Sequence, residues 1–84
     1  MSNRYRQSCA LARATEVLGE RWTLLIIREL LLGPKRFTDI KERLGGVSTS
    51  VLTERLTRLE ASGVVGRAAL APPAASTVYE LTAS

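Results

Sequence analysis

The chain has 84 residues, with twelve Lys or Arg against eight Asp or Glu, a net charge of +4 and a pI near 10.0. At this length we expect one domain over residues 1–84 with a modest core, since so short a chain buries only roughly 60% of its unfolded surface. The basic excess suits a polyanionic partner, although a solvated basic surface with no partner explains the composition equally well.

The residue types that are missing exclude most catalytic chemistry. Without His there is no Ser-His-Asp or Cys-His arrangement, and the single cysteine, Cys9, cannot build a thiolate zinc site or a disulfide within one chain. Gly45-Gly46 is not followed by the Lys-Ser/Thr of a phosphate-binding loop. We therefore expect that the chain is not an enzyme and that it holds no cofactor and no metal.

Neither a secretory signal nor a membrane span is expected. The first thirteen residues have no apolar stretch behind their positive charges, and the richest apolar segment, 22–32, is interrupted by Arg28 and Glu29. That segment is also too short to cross a bilayer. These features predict a cytoplasmic protein that has no contact with a membrane.

Two helices are predicted in the first half of the chain. Ser8 can cap a helix over about residues 8–18, and Gly19 is placed to end it as a left-handed terminator. A second helix is predicted over about 20–32. It is apolar nearly all round, so we expect it at the centre of a small helical bundle.

A helix-turn-helix is predicted next. After the Gly33-Pro34 stop, Thr38 can cap a two-turn helix over 38–44, and a tight turn through Gly45-Gly46 leads to Ser48. Ser48 caps a helix over about 48–62 that Gly63 ends. A short helix, a glycine-containing turn and an amphipathic helix are typical of this motif.

The last part of the chain predicts a β-hairpin. Residues 64–70 and 77–82 have strand character, and Pro72-Pro73 prevents regular pairing at the tip between them. The predicted fold is therefore mainly α with a small β-hairpin (α+β). In detail it is a winged helix-turn-helix with about four helices and a two-stranded wing over 64–82.

The outer side of the 48–62 helix is unusually rich in hydroxyl groups. Leu52, Leu56 and Leu59 form the packed stripe, and the other side carries short polar residues that let DNA approach closely. The candidates for phosphate or base hydrogen bonds are Ser48, Thr49, Ser50 and Thr53, with Arg58 for a phosphate or guanine and Glu54 for a cytosine amino group.

Simpler explanations exist for three of these residues. Ser48 serves as a helix cap whether or not DNA is present, and Glu54 and Arg58 are four residues apart and can pair on a solvated surface. Arg55, at the edge of the packed stripe, is better placed to brace a neighbouring helix or turn than to contact a base.

Several linked motifs resemble one known family. Residues 9–65, CALARATEVLGERWTLLIIRELLLGPKRFTDIKERLGGVSTSVLTERLTRLEASGVV, followed by STVYELT, are similar to the HxlR-type winged helix-turn-helix transcriptional regulators. The resemblance implies a bacterial DNA-binding homodimer that recognises two operator half-sites and represses or activates nearby genes. It assigns recognition to helix 48–62, support to helix 38–44 and the wing to 64–82.

The resemblance also extends the set of DNA-contact candidates. Lys35, Arg36 and Thr38 lie before and at the start of the support helix, and Arg67 lies in the wing. Because the wing tip is the uncharged segment APPAAS, we expect weak minor-groove contact by the wing and more phosphate attraction from Lys35, Arg36 and Arg58. An adaptor that uses the same fold to bind protein, with incidental basic charge, is the alternative function.

Two features of the resembled family bear on regulation and assembly. In some members an N-terminal cysteine senses oxidants or electrophiles, and Cys9 has the matching position. A small apolar residue packed in the core is the simpler interpretation of Cys9. The family's C-terminal dimerisation helix is absent from this sequence, so either the chain is part of a longer protein or its N-terminal region forms the dimer. The sequence identifies no small-molecule effector.

Overall fold

The computed structural model describes the backbone of residues 2–72 and 76–82, and side chains from Ser8 onward. It contains three helices followed by two antiparallel strands. The elements are α1 (Ser2–Leu31), α2 (Phe37–Leu44), α3 (Thr49–Ala61), β1 (Val65–Ala69) and β2 (Thr77–Leu81). Residues 73–75, at the tip of the predicted wing, lie outside the described residues.

The first two predicted helices are one continuous helix. The prediction that Gly19 ends a helix was wrong, because Gly19 lies within α1, and the number of helices is three rather than about four. Gly19 is buried, and a Cβ built on it would lie 2.0 Å from Nη2 of Arg55 on α3. The glycine therefore allows a close approach between helices instead of a chain reversal.

The second half of α1 is less enclosed than its composition predicts. Ile26 and Leu30 are buried, whereas Leu24, Leu31 and, just after the helix, Leu32 are exposed. Helix α1 thus covers one side of the core instead of lying at its centre. In the described part of the chain, no helix has the length and apolar character needed to span a membrane.

The ends of α2 and α3 differ in how they are capped. Helix α2 begins at Phe37 after Arg36, which makes no side-chain capping bond, so the prediction that Thr38 caps this helix was wrong. The cap of α3 is confirmed, since Ser48 Oγ accepts a hydrogen bond from the Val51 amide at 3.1 Å. Gly63, with φ of 80°, follows α3 in the left-handed conformation that glycine favours.

The core lies where the three helices meet the wing. As the leucine spacing predicts, Leu52, Leu56 and Leu59 are buried on the inner side of α3. The remaining members of the core cluster are Ile26, Leu30, Ile40, Val47 and Val65.

The wing is a two-stranded hairpin joined to the helical region by one further bridge. Strands β1 and β2 pair in antiparallel register, with Arg67 opposite Tyr79. The Lys35 amide donates to the Tyr79 carbonyl at 3.0 Å, and the Tyr79 amide donates to the Lys35 carbonyl at 2.7 Å. The segment between α1 and α2 is thereby fixed to the edge of the wing, which orients α2 and α3 relative to it.

Candidate nucleic-acid interface

The outer side of α3 is open to solvent. Every sequence-predicted contact on this helix and its cap is exposed, namely Ser48, Thr49, Ser50, Thr53, Glu54 and Arg58. The N-terminal turn therefore presents small hydroxyl side chains at the positive end of the helix, an arrangement that attracts phosphate and fits a major groove. Glu54 and Arg58 also line a cleft with the N-terminal half of α1, so α1 borders one edge of this surface.

Charged side chains on α3 already interact with each other. Arg58 Nη2 lies 3.3 Å from Glu54 Oε1, one helical turn away, so the surface pairing that the spacing indicated is present. Both side chains are more than half exposed. Such a pair contributes little to stability and can open when a phosphate offers Arg58 a second anion.

The two cations before α2 also have intramolecular partners. Lys35 Nζ donates to the Glu29 carbonyl oxygen at 2.8 Å. Arg36 forms a two-point interaction with Asp39, with Nε 3.0 Å from Oδ2 and Nη2 3.3 Å from Oδ1. That hydrogen bonding lowers the pKa of Asp39 and raises the pKa of Arg36. Thr38 is exposed in the first turn of α2.

Arg67, the wing cation, is held on the hairpin surface. Its Nε lies 3.0 Å from both carboxylate oxygens of Glu60, and its guanidinium lies 5.4 Å from the centre of the Tyr79 ring. The hydrogen bond to Glu60 raises the pKa of Arg67. Arg67 consequently links the wing to the end of α3, and its side chain is still more than half exposed.

Sequence reasoning missed an ion pair that positions the support helix. The Glu29 carboxylate is almost fully buried on α1 and accepts a hydrogen bond from Arg43 Nε on α2. This bond is the main cause of the lowered pKa of Glu29, which burial opposes. The available signal was a lone acid inside the apolar run 22–32, because a charge in such a run needs a partner.

Arg55 has the bracing position that its place beside the leucine stripe predicts. Its side chain is 9% exposed and lies against Gly19 of α1. Its Nε is buried without a hydrogen-bond partner among the described residues. The nearest carboxylate oxygen, Glu54 Oε1, is 3.8 Å from Nη2, beyond hydrogen-bond distance.

Cys9 lies on the exposed N-terminal half of α1. The interpretation that it is packed in the core was wrong, because its side chain is exposed and free. Every residue from Ser8 to Leu18 is exposed, and these include the apolar side chains of Leu11, Val17 and Leu18. The first half of α1 therefore projects from the domain and packs against little of it.

An open amphipathic helix after a short helix and a tight turn, with a hairpin beside it, defines a winged helix-turn-helix domain. Residues 17–84 match the family model described as the HxlR-like helix-turn-helix. The chain belongs to the HxlR-like helix-turn-helix family of bacterial transcriptional regulators.

Two curated relatives come from Bacillus subtilis. The HTH-type transcriptional regulator YodB is 42% identical over 69 residues, which cover 82% of this chain and 62% of YodB. The HTH-type transcriptional regulator YvaP is 40% identical over 70 residues, which cover 83% of this chain and 65% of YvaP. The chain thus spans less than two thirds of the length of either relative.

Solved structures of YodB share this fold. The reduced form of YodB superposes with a TM-score of 0.72 at 39% identity, over 88% of this chain and 72% of YodB. The diamide-treated form superposes with a TM-score of 0.71 at 40% identity, over 86% of this chain and 71% of YodB.

Proposed function

We propose that the chain is a sequence-specific DNA-binding transcriptional regulator that inserts α3 into the major groove of an operator. The observation that carries this proposal is the solvent-exposed, hydroxyl-rich side of α3 in a domain of the HxlR-like family. A major groove about 12 Å wide admits a helix, and small polar residues let the helix approach the base edges. Binding to bacterial operators places the chain in the cytoplasm.

The candidate contacts divide into two groups. Ser50 and Thr53 lie on the side of α3 that would face base edges, whereas Lys35, Arg36, Arg58 and Arg67 would neutralise phosphates. Thr38, Ser48, Thr49 and Glu54 complete the proposed contact set. Because each of the four cations has a partner within the chain, DNA binding exchanges these internal interactions for phosphate contacts.

Salt dependence tests the phosphate contacts. The logarithm of DNA affinity, measured by fluorescence anisotropy, is expected to fall with the logarithm of salt concentration by about 0.9 per neutralised phosphate. Arg36→Ala should reduce the magnitude of this slope by about one and weaken binding to all sequences alike. Arg21 is an exposed residue of α1 and is not a proposed DNA contact, so Arg21→Ala is the matched control.

Base specificity tests the placement of α3. Ser50→Ala and Thr53→Ala are expected to change preference at particular base positions in selection from a random duplex library. If these variants leave preference unchanged and Arg36→Ala alters it, α3 is not the recognition helix. A chain that binds no DNA at low salt would instead support the adaptor function.

We also propose that the chain works as a homodimer joined through α1. Leu11 and Leu18 are seven residues apart and lie on one side of an exposed helix segment. An isolated helix of this length is marginal in water. A second copy would cover these side chains. Leu18→Glu is expected to shift sedimentation toward the monomer, whereas Arg13→Gln, on the opposite side of the helix, should not. An unchanged Leu18→Glu dimer would place the interface elsewhere.

Cys9 is proposed as a thiol sensor. Its side chain is exposed, and the related YodB has been solved in reduced and diamide-treated forms. The chain has a single cysteine, so a disulfide formed by diamide must join Cys9 of two copies. Diamide is expected to change operator affinity of the wild type but not of Cys9→Ser. Identical responses from both proteins would remove the sensor function.

A further inference from the structure

A cleft between α1 and α3 surrounds one side of Arg55. Its volume is about 510 Å³, within the range of about 300–1,000 Å³ typical of small-molecule sites. Leu24 and Leu59 supply apolar walls, and Arg55 and Arg58 supply positive charge. Arg55 also lines two neighbouring clefts, so it is shared by all three clefts between α1 and α3.

The state of the Arg55 side chain indicates a missing acceptor. It is nine-tenths buried, yet its Nε has no hydrogen-bond partner in the described part of the chain. Its sole ion-pair partner there, Glu54, is half exposed and lies 3.8 Å away. A buried guanidinium with an unused donor loses its hydration without a replacement, and an anion that accepts from it would restore that interaction.

The surroundings select the kind of anion. A planar guanidinium matches the two oxygens of a carboxylate, and the leucine walls match an apolar body attached to that carboxylate. Glu16 and Glu20 also line the cleft, and their negative charges disfavour an anion of higher charge such as phosphate. Arg58 is already paired with Glu54, which leaves Arg55 as the principal partner.

We propose that the α1–α3 cleft binds a small organic monocarboxylate, with the carboxylate on the Arg55 guanidinium and the apolar body between Leu24 and Leu59. Ligand binding would use Arg55, Leu24 and Leu59, which are not proposed DNA contacts, although Arg58, a proposed phosphate contact, lines the same cleft. It is therefore measured on the full chain without DNA.

Benzoate is a suitable probe, with benzamide as its neutral analogue of the same shape. By isothermal titration calorimetry, benzoate is expected to bind with a dissociation constant of about 1 mM, and benzamide at least about tenfold more weakly. The single tryptophan, Trp22, lines the adjoining cleft together with Arg55 and gives a second, fluorescence readout. Equal affinity for the two probes would overturn the proposal.

Two variants remove the site in different ways. Arg55→Gln deletes the charge, whereas Gly19→Ala keeps the charge but places a Cβ where the guanidinium lies, 2.0 Å from Nη2. The guanidinium is the end of a flexible side chain and can move, and alanine favours a helix more than glycine does. Gly19→Ala should therefore fold, as checked by circular dichroism, and it decides the result if Arg55→Gln does not fold.

Both variants are expected to weaken benzoate binding at least about tenfold, the loss typical of a charge-assisted hydrogen bond, whereas Arg21→Gln, exposed on α1, should bind like the wild type. Wild-type affinity in either folded variant would overturn the proposal. A wild-type chain that binds no benzoate would also overturn it. If Arg55→Gln then weakens self-association in sedimentation, a carboxylate of a second copy occupies the cleft instead.

Discussion

Replacing Glu29 with Gln tests whether the buried carboxylate holds α1 and α2 together. The Glu29 side chain is 5% exposed and bonds to Arg43, whose side chain is 54% exposed. Glutamine has nearly the same shape but lacks the charge that Arg43 requires. The neighbouring core is otherwise unchanged, so the variant isolates the interaction between the two helices.

The expected loss follows from these exposures. A hydrogen bond to a charged group contributes about 1.5–3 kcal/mol, and we expect the lower end because the freed Arg43 side chain remains largely hydrated. For a domain of this size, a loss of about 1.5 kcal/mol lowers the midpoint of thermal unfolding by about 8 °C. Glu42→Gln is the matched control, since Glu42 is exposed on the same α2 helix that carries Arg43.

The pH dependence supplies a sharper test. Arg43 holds the pKa of Glu29 below its ordinary value of about 4.5, so the pair stabilises the folded state above that pH. The stabilisation is lost as the pH falls through the lowered pKa. Urea unfolding at one protein concentration should therefore show a constant difference between wild type and Glu29→Gln above about pH 4.5, narrowing below it. A variant as stable as the wild type near neutral pH, or a difference that does not narrow in acid, would refute this reasoning.

Three further substitutions test the core, a turn and the basic surface. Leu52→Ala removes a side chain that is 0% exposed, and urea unfolding should show a loss of about 2–5 kcal/mol; a loss typical of a surface site would contradict the packing of α3. A Cβ on residue 63 would meet no atom within 4 Å, but Gly63 has φ of 80°. Backbone strain alone should therefore make Gly63→Ala less stable by about 1 kcal/mol in the same assay, and no loss would mean that the turn relaxes. Asp39→Asn frees Arg36 from its two-point partner and is expected to raise affinity for a non-specific duplex at low salt by anisotropy; unchanged affinity would place Arg36 away from DNA.

Local signals in the sequence were sufficient to predict α3 and the hairpin. The spacing of Leu52, Leu56 and Leu59 predicts the buried side of α3. Ser48, as the capping residue, predicts where the helix begins. The strand pattern likewise predicts the pairing of β1 with β2. The helix features depend on residues within one or two turns of each other, and the hairpin joins two strands that are consecutive in the chain, so the order of amino acids indicates them directly.

Residues far apart in the chain decided the remainder. Gly19 has the local properties of a helix terminator, but Arg55 packs against it from α3, and the helix continues through it. Glu29 finds its partner on α2, and Lys35 pairs its backbone with Tyr79 in the wing. Periodicity and capping describe only neighbours along the chain, so they carry no information about which side chains meet when separate elements pack.

The sequence alone therefore determined which segments form the helix-turn-helix and the hairpin. Tertiary packing decided that α1 is continuous and that Arg55 is enclosed beside it, because both depend on contacts between α1 and α3.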